Sequence, residues 1–182
     1  FCVHPADGLA WLFAGLTTYL DDRPVFGLQD PFVVAGDTAA TSIRELAARY
    51  VAEIRAIVPQ GPYHLVGWSL GGLIAQEMAA ELRSQGAEVG FLGLLDSYPA
   101  TGDELETGGE LETDGAPARA EASAEDARAT VADLLGGWRA VIDIDAVTAS
   151  DDPAAMAAAV RERVVGLGLL DGAAFDRMLQ RM

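Results

Sequence analysis

The pentapeptide Gly-Trp-Ser-Leu-Gly at residues 67–71 constrains the fold of this 182-residue chain more than any other feature. It follows an apolar run at residues 63–66, which predicts a strand, and precedes residues 72–83, whose pattern predicts a helix. So sharp a turn needs glycines, because the two backbones pass too close for side chains and because a positive φ is costly for other residues. In such an elbow the serine hydroxyl is lifted clear of the sheet, so Ser69 is the candidate nucleophile.

Residues 1–99 alternate short β-rich runs with longer helical patterns, in the order β-α-β-α-β-α-β. This order predicts an α/β fold with a mostly parallel sheet and crossover helices. Helices are predicted at residues 9–20 and at residues 72–83. A further helix is predicted to begin at a capping box formed by Thr41-Ser42 and Glu45 and to end at Pro59. Strands are predicted at residues 1–3, 24–28, 63–66 and 89–95. The last run is almost continuously apolar, so we expect this strand to be buried on both faces.

The composition changes abruptly after Pro99. Residues 101–122 consist largely of Gly, Thr, Ala, Glu and Asp, which predicts a disordered acidic loop. Residues 123–182 contain three helical patterns. The first begins near Ser123 or Ala124 and continues through Leu135 and Trp138. The second begins at Asp151-Asp152-Pro153, and the third begins at Asp171. Because no strand pattern returns, we expect residues 1–99 to be a partial α/β core and residues 100–182 to be a helical lid region.

Charge and cysteine content exclude some classes of partner. A formal net charge of −16 argues against nucleic acid and against an anionic membrane surface, since both would repel the chain. No uncharged apolar stretch reaches the ~18 residues that a membrane-spanning helix needs.

The single cysteine, Cys2, cannot form an internal disulfide and fits a reducing compartment, so we expect a cytoplasmic protein. The apolar start at Phe1, without a signal-peptide pattern, is typical of an excerpt that begins inside a strand.

A nucleophilic serine needs an oxyanion hole and an acid partner. The backbone N–H of Leu70 is the first expected donor, because it follows the nucleophile directly. The second is expected from the turn after the first strand, at Ala6, since Pro5 has no N–H. The acid should follow the serine at a strand end, which selects Asp96 directly after residues 89–95. No residues suggest a metal site.

The general base is the missing component. The chain contains two histidines, His4 and His64, and neither follows Asp96 as the order Ser, Asp, His requires. His4 belongs to the expected oxyanion turn. His64 lies within the strand before the elbow, where packing or a hydrogen bond to a neighbouring strand is expected. Neither is predicted to serve as the base.

Four segments together resemble the type I thioesterase domains that terminate nonribosomal peptide assembly lines, a branch of the α/β-hydrolase family. They are residues 1–6, 47–55, 61–72 and 94–99, and the resemblance covers about residues 1–100. Trp68, after the first glycine of the elbow, favours the peptide-synthetase branch over polyketide and stand-alone editing thioesterases. Asp7 stands where the family commonly has glycine, which leaves the backbone role of Ala6 in place.

The resemblance implies a function. Ser69 would accept a peptidyl or acyl chain from the phosphopantetheine arm of an upstream carrier domain and release it by hydrolysis or macrocyclisation, with no bound cofactor. It also implies that the catalytic His and the last strands follow the lid, beyond Met182, so this chain alone would be inactive. Two alternatives remain open: a stand-alone editing thioesterase or esterase, and a non-catalytic pseudo-hydrolase that binds carrier or product.

Overall fold

The computed structural model describes residues 1–97, 123–134 and 142–181. These residues divide into two compact units, one formed by residues 1–97 and one by residues 123–134 and 142–180. The predicted boundary at residues 99 and 100 and the predicted acidic loop at residues 101–122 lie outside the described residues.

The first unit contains a fully parallel four-stranded sheet in the order β2-β1-β3-β4. Its strands are β1 (Cys2–Val3), β2 (Gly27–Leu28), β3 (Tyr63–Trp68) and β4 (Val89–Leu95). Val3 lies opposite both Leu28 and Gly67, and Trp68 lies opposite Leu95. The predicted α/β fold with a parallel sheet is confirmed, and the carboxyl ends of β1, β3 and β4 meet at one edge.

Four helices connect these strands: a 3₁₀ helix (Trp11–Thr18), α1 (Pro31–Ala35), α2 (Ile43–Ile57) and α3 (Leu70–Ser84). The start of α2 is fixed by side chains, because the Ser42 hydroxyl accepts a hydrogen bond from the Glu45 N–H at 3.1 Å. The Glu45 carboxylate accepts the return bond from the N–H of Thr41 at 2.7 Å, one residue earlier than in a standard capping box. The predicted cap is therefore present with a shifted partner.

Helices α2 and α3 form the main core with the sheet. The side chains of this core that are 0% exposed include Tyr50, Ile54, Leu65, Ile74 and Met78. On α3 the buried positions recur every four residues, so one apolar stripe of this helix faces the sheet. This packing fixes the N-terminus of α3, and with it the residue at the elbow.

The first half of the unit differs from the sequence expectation in two places. Residues 9–20 were expected to form an α-helix, but residues 11–18 adopt 3₁₀ geometry. Only Phe13 of this segment is buried, no side chain caps it and Gly15 lies inside it, so little stabilises a regular α-helix. The short helix α1 was not predicted, although Asp30 as N-cap and Pro31 at the first position are a recognisable helix start.

The expectation that β4 is buried on both faces is also wrong. Phe91, Leu94 and Leu95 are 53%, 42% and 49% exposed. Among the described residues β4 pairs with β3 alone, which makes it an edge strand. An apolar run indicates that a strand is suited to packing against other apolar elements. Whether the strand is buried depends on neighbours from elsewhere in the chain.

The second unit is helical and comprises α4 (Ala124–Leu134), α5 (Ile144–Val147), α6 (Pro153–Gly166) and α7 (Gly172–Arg181). Its buried side chains include Met156, Val160, Val164, Phe175 and Met178. Asp152 caps α6 by accepting a hydrogen bond from the Ala154 N–H at 3.0 Å, where the sequence predicted a helix start. Helix α5 was not predicted, and the predicted continuation through residues 135 and 138 lies outside the described residues. In the described ranges no helix combines the length and apolar character needed to cross a membrane.

Candidate active site

Ser69 occupies a strained turn between β3 and α3. Its φ is 53° and its ψ is −124°, in a region that side-chain-bearing residues rarely adopt. Its N–H donates to the Leu95 carbonyl at 2.8 Å, and its carbonyl accepts from the Gly72 N–H at 2.9 Å. The side chain is exposed and does not cap the helix that it precedes. The turn therefore leaves the hydroxyl available for chemistry.

Close packing leaves no space for a side chain at the three glycines of the elbow. A Cβ at Gly67 would collide with the backbone of Gly71, and a Cβ at Gly71 would collide with the carbonyl oxygens of Val3 and His4. A Cβ at Gly72 would meet the side chain of Ser97. None of these glycines has a positive φ, so the costly φ expected at this turn belongs to the serine itself.

Ser97 was not identified from the sequence, yet it ties the elbow to the end of β4. Its Oγ lies 2.8 Å from the Ser69 carbonyl oxygen and 3.0 Å from that of Leu95, and its single proton can be donated to either. Together with the bond from the Ser69 N–H to Leu95, this contact attaches the nucleophile turn to the residues that flank Asp96. Sequence offers no signal for it, because the two serines are 28 positions apart.

Asp96 lies immediately after β4 and has a φ of 47°. It is exposed, and with Ser69 it is one of the two non-glycine residues with positive φ among those described. Because Trp68 and Leu95 are partners in the register, the residues that follow them, Ser69 and Asp96, leave the same edge of the sheet. The structure thus brings the predicted nucleophile and the predicted acid to adjacent strand ends.

The two predicted oxyanion donors lie on segments that contact each other. Leu70 is the first residue of α3, where a backbone N–H has no partner within the helix. Ala6 lies in the turn after β1, which a hydrogen bond from the Gly8 N–H to the Pro5 carbonyl closes at 3.1 Å. The start of α3 lies against this turn, since Gly71 directly abuts the carbonyl of His4. Among the described residues neither amide donates a turn or loop hydrogen bond to another backbone group.

Neither histidine is placed to act as the base. His4 is 0% exposed, and its Nδ1 and Nε2 lie 2.6 Å from the Pro5 carbonyl oxygen and 2.7 Å from the Tyr50 hydroxyl. His64 precedes Ser69 by five residues on β3, roughly 16 Å along the strand at ~3.3 Å per residue. Its side chain is exposed, yet its Nε2 would lie 3.0 Å from a Cβ added at Gly90 of β4, so the ring packs against the neighbouring strand as expected.

Asp7, between Ala6 and Gly8, carries a titratable group into the expected oxyanion turn. Its Oδ1 accepts a hydrogen bond from the Leu9 N–H at 2.9 Å. Burial raises the pKa of this carboxyl to about 6, and the hydrogen bond from Leu9 opposes that increase only in part. The charge beside the turn therefore changes within an accessible pH range.

A family model described as "Thioesterase domain" matches residues 1–158 of the chain. The chain is 48% identical over 100 residues to the dimodular nonribosomal peptide synthase of Bacillus subtilis (strain 168), a match that covers 54% of this chain and 4% of that protein. It is 45% identical over 100 residues to enterobactin synthase component F of Escherichia coli O157:H7, which covers 54% and 8%. The chain thus spans less than a tenth of the length of either protein.

A solved structure covers more of the chain. The crystal structure of a covalent complex of the NocB thioesterase domain with a fluorophosphonate nocardicin G analog aligns with 94% of this chain and 63% of that one. The TM-score is 0.53 and the sequence identity is 31%. The resemblance derived from the sequence is therefore confirmed by both kinds of comparison.

Proposed function

The chain belongs to the thioesterase domain family, and from that membership we propose that it releases a peptidyl or acyl chain from a carrier domain through an ester on Ser69. The observation that carries the proposal is the strained turn at Ser69, which holds the serine at a helix N-terminus with its hydroxyl unused by the helix. One relative is named a nonribosomal peptide synthase and the other a component of enterobactin synthase, and both names support a carrier-bound substrate.

The proposed reaction has two stages. A base removes the Ser69 proton, and Oγ attacks the thioester carbonyl to form a tetrahedral intermediate. The N–H groups of Leu70 and Ala6 stabilise its oxyanion, each contributing ~3–4 kcal/mol. Collapse expels the phosphopantetheine thiolate, which takes up the proton from the base. Water then attacks the ester to give an acid, or an internal amine or hydroxyl attacks it to give a ring. In either case the base removes the proton of the attacking group and returns it to Ser69 Oγ as the bond between the acyl carbon and Oγ breaks.

The acid and the base complete the proposal. Asp96 is assigned the role of orienting the base and stabilising its protonated form. The base is a histidine from beyond Met182, since both ring nitrogens of His4 are engaged and His64 lies at the wrong end of β3. Among the described residues β4 has an unpaired edge and exposed apolar side chains, including Phe91 and Leu95, which supports further strands and crossover helices packing there. Residues 1–182 alone would then be inactive.

The remaining components follow from the same chemistry. The phosphopantetheine arm arrives on an upstream carrier domain as part of the substrate, and the thioesterase domain itself binds no cofactor. We place the reaction in the cytoplasm, in keeping with the single, buried Cys2 thiol.

The test compares the full-length protein with two variants on an acyl-pantetheine thioester, with release of free thiol as the measurement. We expect turnover by the wild type, none by Ser69→Ala and a loss of about 100-fold or more by Asp96→Asn, as expected when a base loses its orienting partner. Residues 1–182 alone should release no thiol. Turnover by Ser69→Ala equal to that of the wild type would refute the proposal.

The same assay separates the alternatives. A pseudo-hydrolase would bind the thioester without turnover in the full-length protein. A stand-alone editing thioesterase or esterase would hydrolyse the free thioester as fast as a carrier-bound one. The proposed function predicts faster release when the acyl group is delivered on the upstream carrier domain.

A further inference from the structure

His4 is a fully buried polar side chain that the proposed reaction does not use. It follows β1 directly and is 0% exposed, as is Tyr50 on α2. Its ring bridges two groups, with Nδ1 2.6 Å from the Pro5 carbonyl oxygen and Nε2 2.7 Å from the Tyr50 hydroxyl. The two rings also meet edge to face, with centroids 5.8 Å apart and an interplanar angle of 88°.

These two partners determine the protonation of the ring. A carbonyl oxygen can only accept, so the Pro5 contact requires a proton on Nδ1. In a neutral imidazole Nε2 is then an acceptor, and the Tyr50 hydroxyl can donate to it. The Pro5 carbonyl thus fixes the tautomer, and the Tyr50 hydroxyl, by donating to Nε2, stabilises it.

The carbonyl held in this way belongs to the peptide unit that leads into Ala6. The Pro5 carbonyl accepts hydrogen bonds from His4 Nδ1 and from the Gly8 N–H, at 2.6 and 3.1 Å. Because the peptide unit is planar, the direction of the Pro5 carbonyl fixes the direction of the N–H of Ala6. The His4 ring therefore controls the group that is assigned as the second oxyanion donor.

Tyr50 links this turn to the other donor. Helix α2 carries Tyr50 and packs with α3 in the main core, and the first residue of α3 is Leu70. The backbone carbonyl of His4 abuts Gly71 in the same helix. His4 therefore connects both expected oxyanion donors to the packed helices α2 and α3.

We propose that His4 and Tyr50 are positioning residues for the oxyanion hole: Nδ1–H of His4 orients the Pro5–Ala6 peptide, and the Tyr50 hydroxyl holds the required tautomer. This inference rests on the proposed function, because it assigns the turn to stabilising the oxyanion of acyl transfer. Neither residue touches the reacting atoms in this role. Their effect should appear in kcat and leave KM unchanged.

Two substitutions at His4 separate positioning from packing. His4→Asn can place an amide donor near the former Nδ1, whereas His4→Gln places its amide near the former Nε2. In the full-length protein, with an acyl-pantetheine thioester as substrate, we expect His4→Gln to lower kcat roughly 10- to 100-fold, as small misplacements do. His4→Asn should remain within about fivefold of the wild type, because the donor to Pro5 is retained. A packing role predicts the opposite order, since Gln is closer to His in size.

A second test compares the same substitution at two buried tyrosines. Tyr50→Phe removes the hydroxyl that faces His4 and keeps the ring. Tyr63→Phe removes a comparable buried hydroxyl, which donates to the Val58 carbonyl at 2.7 Å, away from the oxyanion turn. We expect Tyr50→Phe to lower kcat by about 3- to 10-fold with the same KM, and Tyr63→Phe to change kcat by less than about twofold.

The outcomes distinguish this inference from the function on which it rests. A wild-type protein that releases no thiol would refute the proposed function and this inference together. If the wild type is active, equal kcat values for His4→Asn and His4→Gln, or losses confined to KM, would overturn the inference alone. If the His4 variants do not fold, as judged by near-UV circular dichroism, the tyrosine pair decides: equal kcat values for Tyr50→Phe and Tyr63→Phe would overturn it.

Discussion

Replacement of Asp7 by asparagine should stabilise the thioesterase domain in a pH-dependent way. Burial raises the pKa of the Asp7 carboxyl to about 6, so the ionised form is held at a cost in the folded state. At ~1.4 kcal/mol for each pKa unit, the increase corresponds to a ceiling of about 3 kcal/mol above pH 6. Because the side chain is only half-buried and partly screened by water, we expect about 2 kcal/mol. Asparagine keeps an oxygen acceptor for the Leu9 N–H.

The direction in which the stability changes with pH follows from proton binding. Between pH 4 and pH 6 the folded state holds the Asp7 proton more tightly than the unfolded state does, so stability falls as pH rises through this range. Above it both states are ionised, and the loss is complete. The advantage of Asp7→Asn should therefore be largest at pH 7–8, where about 2 kcal/mol raises Tm by roughly 4–8 °C. By pH 5 the advantage should fall to about half.

Thermal unfolding of the domain at pH 5, 6, 7 and 8 provides the assay. The lower limit stays above the sequence pI of about 4.2, near which the chain would lose solubility. Asp21→Asn is the matched control, since it removes one negative charge from an exposed position. A Tm difference between Asp7→Asn and the wild type that is the same at pH 5 and pH 8, or no larger than that of the control, would refute the reasoning.

Three further substitutions probe the elbow and its supports. Gly71→Ala forces a Cβ against the backbone carbonyls of Val3 and His4, and should lower kcat about 100-fold or more; Gly166→Ala, where the space is open, should not, and equal kcat values would contradict this account. Ser97→Ala removes the tie between the elbow and β4, and should lower kcat about 10-fold with KM unchanged; an effect on KM alone would count against it. Ser42→Ala removes the cap of α2 and should cost about 1 kcal/mol in denaturant unfolding without changing kcat; unchanged stability would show that the cap contributes nothing.

Features encoded by neighbouring residues could be predicted from the sequence. The elbow at Ser69, the cap of α2 at Ser42 and the start of α6 at Asp152 each depend on chemistry within a few positions. The bounds of β4 were also predicted, because an apolar run has clear ends. Helix α1 carried a similar local signal at Asp30 and Pro31.

Features that depend on distant residues could not be predicted. The Tyr50 hydroxyl meets His4 across 46 positions, and Ser97 meets the Ser69 carbonyl across 28. The exposure of β4 depends on which strands lie beside it, which its own apolar pattern does not report. The 3₁₀ geometry of residues 11–18 similarly depends in part on tertiary packing, since Phe13 is the one buried residue of this segment.

The central claim is that Ser69 carries the acyl chain, and the mass of one peptide tests it most directly. Trypsin should release residues 56–83, in which Ser69 is the only serine and no threonine occurs. The full-length protein is mixed with an acyl-pantetheine thioester, quenched in acid and digested. We predict a gain of the acyl mass on this peptide, located at Ser69 by fragmentation and absent from Ser69→Ala. Release of thiol with no acyl mass on this peptide at any quench time, or with the mass on another residue, would contradict the account.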